Sequence, residues 1–227
     1  MKKKQHQLQA KKTAFPKAPV ISMGNLEELD ACELCSEAEL SDFFVKNADL
    51  SPLELRFLLI ESALIEDSRL LYSRFSAARI SDLLIRACDL SNTECFDCKF
   101  KRMEISSSKL TGFRASESEF FHCRFNACQG DLFQFNNCRF EESLFEDCRF
   151  QNAEFRFADL SNSIIRNCDL KDADFYGACL KGTDFRGSKL ERIKVQAEDL
   201  KGAIISSEQA IELSFRFAEI LGMEIRD

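Results

Sequence analysis

Tryptophan is absent from the sequence, tyrosine occurs twice and glycine only eight times. Phenylalanine, by contrast, occurs 22 times, a bias that points to one residue type filling one recurring slot. Two histidines, His6 near the start and His122 at an outward position, leave little for general acid–base chemistry. No apolar run approaches the roughly 18 residues of a membrane span, so no membrane partner is expected. The basic opening MKKKQHQLQAKK is followed by no apolar run either, and does not read as a secretory signal. Glycine-rich phosphate loops and paired metal-ligand motifs are missing. No catalytic residue, cofactor or metal is therefore expected, and the chain reads as a non-enzyme. A net charge of -7 argues against direct nucleic-acid binding. With no export signal, the eleven cysteines are expected to be reduced and the protein cytoplasmic.

What is present is a period of five. In NNCRFEESLFEDCRFQNAEF, residues 136–155, a small residue precedes a large apolar one by two places, four times over. Every residue whose number is a multiple of five from Leu40 to Ile205 is Leu, Phe, Ile or Val, except Cys95, Ala115 and Gly130. Two places earlier the residue is mostly Ala, Ser, Cys or Thr. A five-residue step turns a helix by about 140°, so no amphipathic helix keeps this phase, and a flat strand repeats at two. The register suits a solenoid. Each unit forms one side of a square coil, with the large and the small residue pointing inward. Four units make a turn, and turns stack like parallel strands at about 4.8 Å. About eight and a half coils give an all-β rod roughly 40 Å long by the same spacing. The column Leu40, Ile60, Ile80, Phe100, Phe120, Phe140 buries what no single coil could bury.

Units such as NADLS, NAEFR, FADLS, DADFY and GTDFR resemble those of the pentapeptide-repeat proteins. The resemblance spans residues 38–205 and implies a right-handed quadrilateral β-helix. Three segments are expected: a flexible basic arm over 1–24, the β-helix over 25–205, and a C-terminal helical cap over 206–227. Phe113 and Phe133, large residues in small slots, are expected to supply the volume missing at Ala115 and Gly130, with a bulge at Gly130 as the other possibility. One extra residue near Cys35 should kink the first coil. Seven cysteines, at 88, 98, 123, 128, 138, 148 and 168, occupy the small inward slot and read as core fillers.

Folding the sequence at twenty residues per turn sorts the outside. One outward row contains Phe44, Leu64, Leu84, Leu144 and Ile164, an apolar stripe where water is expected. In the early coils Phe57, Leu59, Leu71 and Tyr72 also stand outward, while Phe43, Leu53, Leu58 and Leu83 are large in small slots. Either another protein docks on these residues or the arm, with Phe15, Val20 and Ile21, folds back over them.

After Ile205 the phase ends. Ser206 and Gln209 have capping-box spacing, and Gly222 is a plausible helix stop. One apolar face of this helix, with Ala210, Leu213, Phe217, Ile220 and Leu221, should seal the rod. A second, with Ile211, Phe215 and Ala218, needs another partner, and Met223 to Ile225 should add a short edge strand. The ending resembles the C-terminal cap of the bacterial quinolone-resistance (Qnr and MfpA-like) proteins, which implies a homodimer. Ile211, Phe215, Phe217, Ile220, Leu221 and Ile225 are the expected interface. Two functions follow: a rigid scaffold for another protein, or a DNA mimic that modulates type II topoisomerase, with DNA gyrase as its partner. Mixed charge signs along the rows, as at Arg69, Arg79, Arg124, Arg139 and Arg149, weigh against the second.

Overall fold

The chain is shown in a computed structural model that describes residues 15–220 and 222–224, without the side chains at 31, 216, 219 and 220. It is a right-handed quadrilateral β-helix of about seven turns in its paired strands, carried on by single-residue bridges to Ile204 and closed by one C-terminal helix, Ser207–Ile220. All strand pairs are parallel, and partners lie twenty residues apart, as in Ile60↔Ile80 and Phe125↔Phe145. The exception is the first pair, where Glu28 faces Phe44. This coil is shorter and contains the helical turn Ala31–Glu33, and the regular register begins only after Cys35.

Four walls result. Two of them, centred on residues such as Ile60 and Ile65, belong to one ten-stranded sheet. Here Glu39–Lys46, Leu59–Glu66, Arg79–Arg86 and Lys99–Ser106 each run continuously across both walls. The wall of Leu55, Phe75 and Cys95 is a five-stranded sheet. The remaining wall is a row of single bridges through Asp49, Arg69, Asp89 and Lys109.

A second five-residue regularity makes the corners. Two places after almost every central residue, φ is positive, from 48° at Glu142 to 66° at Glu37 among the non-glycines. The square coil needs a left-handed residue there, and Asn, Asp and Gly adopt it at least cost. Asn92, Asn152, Asn162, Asp97 and Gly112 obey that preference.

The small slot has its own reason. The Ser188 hydroxyl donates to the Ile165 carbonyl of the preceding coil at 2.9 Å and accepts the Cys168 amide at 3.0 Å. Thr93 and Thr183 donate likewise to Leu70 and Leu160. Cysteine does the same more weakly: the Cys148 thiol donates to the Phe125 carbonyl at 3.4 Å, and its sulfur accepts the Cys128 amide at 3.4 Å. Each such side chain gives its hydrogen-bonding group a backbone partner inside the coil, as buried polar groups require. All eleven cysteines are free thiols.

Within the hollow, rings of successive coils stack at the coil spacing. Phe100, Phe120 and Phe140 have centroids 4.9 and 4.7 Å apart, and Phe125 and Phe145 lie 4.8 Å apart. The earlier coils are aliphatic, and Phe43, Leu58 and Leu83 point inward from their small slots and are buried. An apolar cavity of about 60 Å³ remains among them, between Leu50, Ile65 and Leu90. At Gly130 the bridges from Gln129 to Lys109 and Arg149 continue unbroken, so there is no bulge. Phe133 and Phe150 fill the gap.

Candidate interaction surfaces

The apolar stripe is not free. Leu84, Leu144 and Ile164 are buried, and Phe44 and Leu64 are half-buried. Residues 15–20, at the end of the segment expected to be a flexible arm, lie along this column and are fixed at three points. The Val20 amide donates to Asp82 Oδ1 at 2.8 Å. The Arg124 guanidinium donates to the Pro16 carbonyl, and Pro16 is buried. The Arg166 guanidinium lies 5.4 Å from the centroid of the Phe15 ring. From Asp82 to Arg166 is about four coils, roughly 19 Å by the strand spacing. The five steps from Phe15 to Val20 span about 16.5 Å when extended at about 3.3 Å each, and the Phe15 and Arg166 side chains reach across the rest.

Asp82 is almost fully buried and forms a bidentate pair with Arg102. Burial alone would raise its pKa; the Arg102 hydrogen bond and the Val20 amide outweigh that and hold the carboxyl below its ordinary range. Arg124 Nε is buried with no hydrogen-bond partner among the described residues.

The other residues expected to face a partner lie elsewhere. Phe57 and Leu59 sit at the corner that follows the five-stranded wall, and Leu71 and Tyr72 at the corner before it, so the nine do not form one surface. Phe57 is 60% exposed and Tyr72 66%, whereas Leu59 is at the edge of exposure and Leu71 is half-buried.

Sequence reasoning missed four further exposed residues. Phe96, Phe157 and Tyr176 share the corner of Phe57, and Leu132 shares that of Tyr72. Phe157 and Tyr176 meet edge to face at 5.7 Å, and the Arg156 guanidinium lies 5.6 Å from the Tyr176 ring centre. Gly177 permits this, because a Cβ there would come within 2.5 Å of Phe157 Cδ1. Reading the outward columns one and two places after each central residue beyond the early coils would have found them.

At the C-terminal end the capping box is present. The Gln209 amide donates to Ser206 Oγ at 3.3 Å and the Ser206 amide to Gln209 Oε1 at 2.8 Å. Gln209 Nε2 also donates to the carbonyls of Phe185 and Ser188, both at 2.7 Å, which latches the helix to the last coils. Leu213 and Ala218 are buried and Phe217 is half-buried against the core. Ala210, expected on the sealing face, is exposed, and Ala218, expected on the outer face, is buried. Ile211 and Phe215, one helical turn apart, are 60% and 52% exposed. The Ile220 side chain, Leu221 and Ile225 lie outside the described residues, and Met223 and Glu224 belong to no strand.

Among the described residues, no cluster of His, Cys, Asp and Glu is arranged to hold a metal ion, and no helix is long and apolar enough to cross a membrane. His122 Nδ1 lies 3.2 Å from Glu142 Oε2.

A family model described as pentapeptide repeats, in eight copies, matches residues 134–167 and 153–192. No curated protein matches the chain. Among solved structures it is similar to HetL from the cyanobacterium Nostoc sp., a pentapeptide repeat protein involved in heterocyst differentiation regulation. That match has 17% identity, covers 76% of this chain and 91% of that one, and has a TM-score of 0.40. It is also similar to full-length QnrB1, a plasmid-mediated fluoroquinolone resistance protein, at 16% identity over 77% of this chain and 99% of that one, with a TM-score of 0.27.

Proposed function

We propose that this pentapeptide-repeat protein is a non-catalytic scaffold that offers a rigid, straight surface to another protein. The observation that carries this reading is where its exposed large apolar residues, most of them aromatic, stand. Phe57, Tyr72, Leu132 and Phe157 occupy left-handed corner positions, with φ of 55°, 55°, 60° and 57°. A non-glycine residue there costs roughly 1–2 kcal/mol. Asn, Asp or Gly would ease the backbone, and burial would offset the strain, yet these side chains are exposed. Strain kept without a packing return supports a role outside the chain. Aromatics and arginine are also the residues that anchor protein interfaces, and Arg156, Phe157 and Tyr176 form such a cluster.

Affinity capture with the full chain tests the reading. Phe57→Asn with Phe96→Ser, and separately Phe157→Asn with Tyr176→Ser, should each leave the fold intact and reduce capture of a partner at least tenfold. Capture unchanged in both would overturn it.

A DNA-mimicking modulator of gyrase finds less support. In the acidic cluster of Glu141, Glu142, Glu146 and Asp147, Glu141 pairs with Arg139 at 3.3 Å and Glu146 with Arg166 at 2.6 Å, which interrupts an acidic strip. The scaffold reading expects no change in gyrase supercoiling, with or without a fluoroquinolone. Ile211 and Phe215 are read as the exposed face of a homodimer, which sedimentation of a single 26.0 kDa species at micromolar concentration would remove. Eleven free thiols suit a reducing compartment such as the cytoplasm.

A further inference from the structure

We propose that the face beneath residues 15–20 is a docking groove for an extended, proline-containing segment of a partner protein, and that the chain's own arm is its displaceable occupant. This rests on the scaffold reading and adds to it a surface and a class of ligand.

The arm shows what the groove recognises. Arg124 takes a backbone carbonyl, at Pro16, and Asp82 takes a backbone amide four residues later, at Val20. Leu84, Leu144 and Ile164 form an apolar floor, and Arg166 presents its guanidinium to an aromatic ring. Two of these contacts address the backbone, so they demand an extended segment and no particular side chain. Pro16 and Pro19, spaced as P-x-x-P in FPKAPV, favour that shape before docking and so lower the entropy lost on binding.

The same contacts are too few to make the arm a fixed part of the fold. Every coil is held to its neighbours by continuous backbone bonds, whereas residues 15–20 are held, among the described residues, by two hydrogen bonds, one ring contact and the burial of Pro16. Phe15 and Val20 keep 57% and 73% of their surface exposed, and the spare Arg124 Nε finds no acceptor among the described residues. The arm meets only part of what the face offers. Its advantage is its tether, which sets an effective concentration on the order of millimolar. A partner segment that satisfies the groove more fully displaces it at far lower concentration.

The test uses the full chain and a fluorescein-labelled synthetic peptide of residues 13–23, TAFPKAPVISM. In an arm-weakened variant, Phe15→Ser with Val20→Pro, the peptide should bind at least tenfold more tightly than to the unaltered chain. Adding Leu144→Glu, or the milder Arg124→Gln, should abolish that binding while the thermal midpoint shows a folded protein. The same peptide with both prolines replaced by glycine should bind at least fivefold more weakly. Equal binding to the unaltered and arm-weakened chains, or none to either up to about 1 mM peptide, overturns the proposal. So does a dimer present in the unaltered chain and lost in the arm-weakened one, which would make a second copy the occupant. Partner capture through Phe157 and Tyr176 is a separate readout. If it persists while the peptide fails, the groove is lost and the scaffold stands; if it alone fails, the scaffold reading is lost.

Discussion

Phe133 and Phe150 stack face to face, with centroids 4.7 Å apart and planes inclined by 7°, across the place where Gly130 has no side chain. The repeat expects a large residue at 130 and a small one at 133, and both are reversed. The volume is conserved while the order is exchanged.

Restoring the repeat at one position alone should therefore do harm. A Cβ at 130 would lie 2.8 Å from Phe150 Cε1, so Gly130→Leu should cost about 1–3 kcal/mol by overpacking. Phe133→Ser should cost about 3–5 kcal/mol through the cavity it leaves. The double variant should recover at least part of the sum, measured as non-additivity in urea unfolding.

Gln209 serves the helix and the last coils together, and its loss should exceed that of an ordinary cap. Ser206→Ala should cost about 1 kcal/mol. Gln209→Ala also strands the Ser188 carbonyl, while Phe185 keeps the Ser188 amide, and a buried acceptor left unpaired adds about 1–3 kcal/mol. Hydrogen exchange should show residues 207–220 unlatching first in the Gln209 variant.

Thiol chemistry should divide the cysteines by burial. Under native conditions an alkylating reagent should modify Cys32, Cys35 and Cys179, and the other eight only on unfolding. Burial pushes the thiols of Cys123 and Cys138 from 9.0 up to about 12. Between those values the folded chain holds protons that the unfolded chain releases, so this contribution to stability is full below pH 9 and falls as pH rises towards 12. Cys123→Ala with Cys138→Ala should flatten that decline in denaturation curves taken across the interval.

The corner aromatics should show stability and binding moving in opposite directions. Phe57→Asn relieves a left-handed residue that is 60% exposed. It should stabilise the chain by up to about 1 kcal/mol. Thermal unfolding and partner capture on the same sample check both effects.

Much of this molecule can be read in advance, and unevenly. The inward columns are legible because burial demands one residue class at one spacing, and even Phe113 and Phe133 are interpretable by volume. The corner residues were equally periodic, with Asn, Asp and Gly recurring two places after the centre, but that signal lies in backbone conformation and is diluted by residues such as Phe57 and Leu132. The stripe is where the pattern misled. Leu84, Leu144 and Ile164 are outward in the repeat and buried in the molecule.

From the amino-acid order alone came the coil: a five-residue period with alternating bulk closes a core as a square spiral, and the strand pairs after the first join residues twenty apart in a fixed register. Only the tertiary structure decided which outward apolar residues are wet. That choice depends on contacts such as Val20 with Asp82 and Pro16 with Arg124, 62 and 108 residues apart. No repeat sets their spacing, and their energy comes from one short segment meeting a surface that exists only once the coils have stacked.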